Sequence, residues 1–124
     1  NFGHTFAHGF EGAKNFSKRL NHGEAVLLGM VTAVELSHSK KIIPTKDLIL
    51  IKKHYTNLNL PMNIKKIFKK KEIGKVVSFM KKDKKNLGEK INLILLKRIG
   101  KTTGPNNIAL TSRELKKFLI ASYN

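Results

Sequence analysis

Three of the five histidines lie within the first 22 residues of the chain, at His4, His8 and His22. His4 and His8 are four residues apart, so a helix through this segment would place both imidazoles on one face, one turn apart. His22 opens the next run of apolar residues, where a helix start can fold back towards the first helix. Because neutral imidazole is the commonest protein ligand of zinc and similar divalent ions, the cluster predicts a metal site.

The identity of neighbouring residues narrows the chemistry of such a site. Zinc proteases share the spacing of His4 and His8 but carry a catalytic Glu directly after the first histidine, where this chain has Thr5. Peptidase chemistry is therefore not expected. A catalytic zinc usually has three protein ligands and one open position, so two histidines form an incomplete site. The missing ligand would be Glu24, the third histidine, or a residue outside this chain.

Length and composition limit the class of protein. The 124 residues suffice for one domain, and the absence of cysteine excludes thiolate zinc sites and disulfides and fits a reducing compartment. No apolar run approaches the roughly 20 residues that span a bilayer, and no signal-peptide pattern begins the chain. We expect a cytoplasmic protein. The chain starts with Asn1 inside a site motif, which indicates a piece of a longer polypeptide.

The strong positive charge of the chain suggests a different class of function, the binding of polyanions. A net charge of +17, from 25 basic and 8 acidic residues, is typical of proteins that bind polyanions. However, 22 of the basic residues are Lys and only 3 are Arg, whereas recognition of bases and phosphates favours Arg. We therefore expect solvated lysine faces, and a basic nucleic-acid-binding helical module remains the alternative from a different class.

The hydrophobic pattern predicts a mainly α protein with one short β-hairpin. The hairpin would pair the β-rich run 91–96 with the segment 107–110, and residues 83–88 would form a polar turn before it. Thr111 and Glu114 have the spacing of a capping box before the last helix, and Thr45 is expected to cap the third. Helices are expected over residues 1–15, 22–41, 45–55, 71–82 and 112–122, with a short turn over 63–68.

Three sequence blocks together resemble the C-terminal domain of dehydroquinate synthase. They occur in the family's order, and the resemblance covers essentially the whole chain, 1–124, as one domain. The family's Gly-His-Ala around the second histidine is Ala7-His8-Gly9 here, a swap of small residues. The blocks are Asn1-Phe2-Gly3-His4-Thr5-Phe6-Ala7-His8, then His22-Gly23-Glu24-Ala25-Val26 with Gly29-Met30-Val31, then Asp83-Lys84-Lys85 before a run with Leu95-Leu96 and Ile99-Gly100.

The resemblance implies a role for each motif residue. His4 and His22 would be ligands of a zinc or cobalt ion, and the third ligand would be a Glu from a preceding domain. His8 would be a catalytic acid/base group that also contacts substrate near the leaving phosphate. Substrate binding would further involve Asn1, and Lys84 or Lys85 would contact the anionic groups.

The resemblance also implies an activity and its partners. The family converts 3-deoxy-arabino-heptulosonate 7-phosphate to 3-dehydroquinate and phosphate in the shikimate pathway, with NAD as a second cofactor. No dinucleotide fingerprint lies in this chain, so NAD would be bound mainly by the missing N-terminal domain, and the chain alone is expected to be inactive. The full-length protein would be a homodimer. Another sugar phosphate cyclase or a metal-dependent alcohol dehydrogenase is the alternative, and the Asp83-Lys84-Lys85 block favours the synthase.

Overall fold

The computed structural model describes residues 2–15, 20–83, 90–103 and 108–124, with the side chain of Asp83 left out. Its helices confirm the prediction of a mainly α protein, and none of those in the described ranges is long and apolar enough to cross a membrane. The helices are α1 (His4–Ala13), α2 (His22–Ser39), α3 (Thr45–Asn57), α4 (Ile73–Asp83) and α5 (Ser112–Ala121), with 3₁₀ turns at Ile64–Lys66 and Lys70–Glu72. The strands are β1 (Lys90–Leu93), β2 (Leu96–Arg98), β3 (Lys101–Thr102) and β4 (Ile108–Thr111).

Helix α1 lies in the interior, packed between α2 and α4. Phe10 is fully buried there, and the centroid of its ring lies 5.4 Å from that of Phe68. Two glycines weaken the intrinsic helix propensity of α1, but Gly9 faces α4 so closely that an added Cβ would lie 2.8 Å from the carbonyl oxygen of Val76. The glycine therefore permits close helix packing. The expectation that α2 is a buried helix is also confirmed.

The predicted hairpin is present and is joined by a second one. β1 pairs with β4 in antiparallel register, with Ile91 opposite Leu110. The β-rich run does not continue as one strand but changes partner at Leu95, whose N–H donates to Oγ1 of Thr103 at 3.0 Å and whose carbonyl oxygen accepts from the N–H of Thr103 at 2.8 Å. Beyond this point β2 pairs with β3 across a two-residue turn, where Gly100 has a φ of 87° that favours glycine.

The ends of the helices test the capping predictions. The capping box before α5 is confirmed: Thr111 Oγ1 accepts from the N–H of Glu114 at 3.1 Å, and the Glu114 carboxylate accepts from the N–H of Thr111 at 3.0 Å. The expectation that Thr45 caps α3 is wrong by one residue. Pro44 is the N-cap, and Thr45 Oγ1 instead lies 3.1 Å from Nε2 of His38, because the end of α2 packs beside the start of α3.

A buried serine joins α2 to the second hairpin. Ser37 Oγ donates to the carbonyl oxygen of Ala33 at 2.6 Å and accepts from the backbone N–H of Leu96 at 2.9 Å. The side chain is fully buried. Ser37 therefore satisfies a backbone donor of β2 that would otherwise be buried without this partner.

The substitution Ser37→Ala should lower the free energy of unfolding by about 1–3 kcal/mol, because the N–H of Leu96 loses its acceptor. Urea unfolding followed by circular dichroism measures the change. Ser39→Ala is the matched control: Ser39 is exposed, its Oγ donates to the carbonyl oxygen of Leu36 within the same helix, and its replacement should cost no more than about 0.5 kcal/mol. Equal losses for the two variants would contradict the role of Ser37.

Candidate metal centre

The two helices that carry the histidine cluster touch backbone to backbone at Gly3 and Gly29. Gly3 is the N-cap of α1 with a φ of 76°, and a Cβ there would lie 2.8 Å from the backbone nitrogen of Met30. A Cβ on Gly29 would lie 2.6 Å from the carbonyl oxygen of Gly3 and 2.9 Å from the nitrogen of Ala7. Because backbone atoms cannot move aside, only glycine permits this approach. The contact places the start of α1, where His4 follows Gly3, beside α2.

The structure places the first two histidines on one helix, as the sequence predicted. His4 is the first residue of α1 and is exposed, whereas His8 lies one turn further along and is half-buried. Residues four apart share a helix face, so both rings project from the same side of α1. Along one face of α1, an exposed imidazole is therefore followed, one turn later, by a half-buried one.

The third histidine begins α2, immediately after the N-cap Asn21. A capping box fixes this helix start: Asn21 Oδ1 accepts from the N–H of Glu24 at 2.8 Å, and the Glu24 carboxylate accepts from the N–H of Asn21 at 3.1 Å. The side chain of Glu24 is therefore engaged in starting the helix. This use argues against Glu24 as the missing metal ligand, one of the three alternatives that the sequence left open.

His22 does fold back onto α1, where its partner is a residue that sequence reasoning missed. Nδ1 of His22 lies 3.1 Å and 3.2 Å from the two carboxylate oxygens of Glu11. One feature of the sequence could have pointed to Glu11: His4, His8 and Glu11 have the spacing i, i+4, i+7 and so share one face of a helix. With Gly3 opposite Gly29 and Glu11 opposite His22, the two helices pack antiparallel.

Two exposed imidazoles on adjoining helices, His4 and His22, are chemically suitable donors to a divalent ion, and a complete site would need a further ligand. Within the described ranges, no group of three His, Cys, Asp or Glu side chains is placed to hold a metal. Glu11 occupies Nδ1 of His22, so this contact leaves Nε2 of the exposed ring available, and His4 is exposed on the neighbouring helix. Asn1, Lys84 and Lys85 lie outside the described residues, as does most of the expected turn over 83–88.

The substitution Gly29→Ala should destabilise the chain by about 1–3 kcal/mol, because the added methyl group overlaps backbone atoms of α1 and forces the helices apart. Gly23→Ala is the matched control in the same helix, since a Cβ there meets only Asn21 Oδ1 at an ordinary 3.5 Å. It should leave stability unchanged or raise it by up to about 1 kcal/mol. Thermal and urea unfolding compare the two variants, and a harmless Gly29→Ala would contradict the contact.

Comparison with known proteins agrees with the fold and with the resemblance found in the sequence. A family model described as 3-dehydroquinate synthase C-terminal matches residues 1–86. The 3-dehydroquinate synthase of Pelagibacter ubique (strain HTCC1062) is 54% identical over 100 residues, which are 81% of this chain and 27% of the relative. The enzyme of the same name from Coxiella burnetii (strain Dugway 5J108-111) is 38% identical over 119 residues, 96% of this chain and 32% of the relative.

A solved structure shares the same fold. It is the crystal structure of 2-deoxy-scyllo-inosose synthase complexed with carbaglucose-6-phosphate, NAD+ and Co2+, which matches with a TM-score of 0.70 at 22% identity, over 97% of this chain and 32% of that one. The chain spans about a third or less of the length of each of these proteins. By the match to its family model and the motifs that the structure brings together on α1 and α2, the chain belongs to the 3-dehydroquinate synthase C-terminal family.

Proposed function

We propose that this chain is the metal- and substrate-binding domain of a 3-dehydroquinate synthase, which converts 3-deoxy-arabino-heptulosonate 7-phosphate to 3-dehydroquinate and phosphate. The observation that carries the proposal is the antiparallel contact of α1 with α2, in which His22 is bonded back onto the helix of His4 and His8. The names of the relatives support the specific reaction. Because the chain spans 27% of its Pelagibacter ubique relative, it supplies a share of the active site.

In this proposal His4 and His22 hold a zinc or cobalt ion, with a Glu of a preceding domain as the third protein ligand. A bound divalent ion supplies Lewis-acid polarisation of a substrate oxygen. The Co2+ and NAD+ in the complex of 2-deoxy-scyllo-inosose synthase support both cofactors. NAD would be held mainly by the preceding domain.

His8 would move a proton at the substrate. It lies one turn beyond His4 on the same face of α1 and is half-buried, so a substrate held at His4 would lie within reach of its ring. A ring nitrogen of histidine exchanges protons readily near neutral pH, which suits general acid/base work. We propose that His8 transfers the proton that moves when the substrate loses its phosphate.

The remaining substrate contacts rest on the resemblance alone. Asn1 would donate hydrogen bonds to substrate hydroxyl groups, and Lys84 or Lys85 would place a positive charge beside the carboxylate or phosphate. A lysine suits this purpose because its ammonium group acts as a compact point charge. The protein as a whole would be a cytoplasmic carbon–oxygen lyase of the shikimate pathway and a homodimer.

The division of roles among the histidines is testable in a chimaera in which this chain replaces the matching part of the Pelagibacter ubique enzyme. His4→Ala and His22→Ala should abolish stoichiometric metal, because each removes a ligand. His8→Ala should retain metal and lose about 10²–10⁴ in turnover, the usual cost of removing an acid/base group. Metal analysis and steady-state kinetics on the same preparations measure both properties.

His38→Ala serves as the control, because His38 lies near the end of α2 and contacts Thr45. It should keep both metal and turnover. A metal-free His8→Ala protein, or full metal in His4→Ala or His22→Ala, would contradict the assigned roles.

A further inference from the structure

We propose that Glu11 is the positioning residue of the metal centre: it accepts the Nδ1–H of His22 and so fixes the tautomer that presents Nε2 to the ion. This inference rests on the proposed function, in which His22 is a metal ligand. It adds to the centre a residue of α1 that binds neither the ion nor the substrate.

The direction of the hydrogen bond between His22 and Glu11 follows from the chemistry of the two groups. Both carboxylate oxygens of Glu11 lie within 3.2 Å of Nδ1 of His22. A carboxylate has only acceptors, so the hydrogen must be on Nδ1. In a neutral imidazole the other nitrogen then carries the lone pair. The contact therefore leaves Nε2 as the ligand atom.

The burial of the two side chains shows which one fixes the other. The His22 side chain is 73% exposed, whereas that of Glu11 is 17% exposed. Glu11 lies on α1, which is packed between α2 and α4, and its side chain is mostly enclosed. An exposed ring in the first turn of a helix would otherwise rotate freely, so Glu11 restricts the ring of His22.

Other ion pairs of the described residues show what a merely structural pair looks like. Glu35 of α2 lies 3.6 Å from the ammonium group of Lys52 in α3, and Lys14 lies 3.4 Å from Glu72. These pairs join neighbouring elements through flexible lysines and have no histidine. A pair of this kind would affect stability slightly and metal affinity not at all.

Cobalt affinity, measured in the chimaera, distinguishes a residue that positions a metal ligand from a residue of a merely structural ion pair. In metal-ligating histidines, loss of the carboxylate partner typically weakens metal binding by about 10–100-fold, and we expect this loss for Glu11→Ala. Glu11→Gln keeps the size of the side chain but can either donate or accept, so we expect a smaller loss. Glu35→Gln is the matched control and should leave cobalt affinity unchanged. Visible absorption of cobalt, in competition with a chelator, gives the dissociation constants.

The tautomer of His22 provides a readout that does not depend on the metal. Two-bond nitrogen–proton correlation spectra of the metal-free 124-residue chain, recorded at about pH 9, where an ordinary imidazole is neutral, distinguish the two nitrogens. The unaltered chain should show His22 protonated on Nδ1, and Glu11→Ala should shift it towards protonation on Nε2. The melting temperature of Glu11→Gln checks that the fold is retained.

His22→Ala makes the two possible failures distinguishable. Undiminished cobalt affinity in His22→Ala would refute His22 as a ligand and with it the proposed metal site. Loss of cobalt in His22→Ala, together with full affinity in both Glu11 variants or an unchanged Nδ1–H tautomer in Glu11→Ala, would overturn the role of Glu11 and leave the metal site standing. If Glu11→Ala fails to fold, Glu11→Leu, which keeps most of the side-chain volume but has no acceptor, carries the same test.

Discussion

The backbone contact between Gly3 and Gly29 is the constraint on which the rest of the site depends. It sets the distance between α1 and α2 at the end where His4 enters the first helix. A side chain at either position would meet backbone atoms, so the helices could not stay as close. The same closeness at Gly9 lets α4 cover the opposite side of α1, which places the histidine helix inside the core and limits its movement.

This arrangement divides the work between the two helices. α1 is held by packing on two sides and carries His4, His8 and Glu11, whereas α2 contributes His22 from its first turn. A helix start is ordinarily the least restrained part of a helix, but the capping box of Asn21 and Glu24 fixes the backbone at this point. The contact of Nδ1 with Glu11 then restrains the otherwise exposed ring of His22.

Features encoded within a few residues could be predicted from the sequence, and features that depend on distant residues could not. The capping box of Thr111 and Glu114 and the mainly α fold follow from local patterns, and both are confirmed. The second hairpin was not predicted, because the change of partner at Leu95 involves Thr103, eight residues away, which no strand pattern contains. Glu11 shares a helix face with two histidines, but its tie to His22 exists only once the two helices pack.

The most direct test of the metal centre is X-ray absorption spectroscopy of zinc bound to the chimaera with the Pelagibacter ubique enzyme. If α1 and α2 each supply one ligand, the spectrum should show two imidazoles, with nitrogens about 2.0–2.1 Å from zinc, and oxygen atoms in the remaining positions. Three imidazoles would mean that His8 also binds the ion, and one or none would mean that the helix pair does not form the centre. Either result would contradict the assignment of His4 and His22 as the two histidine ligands.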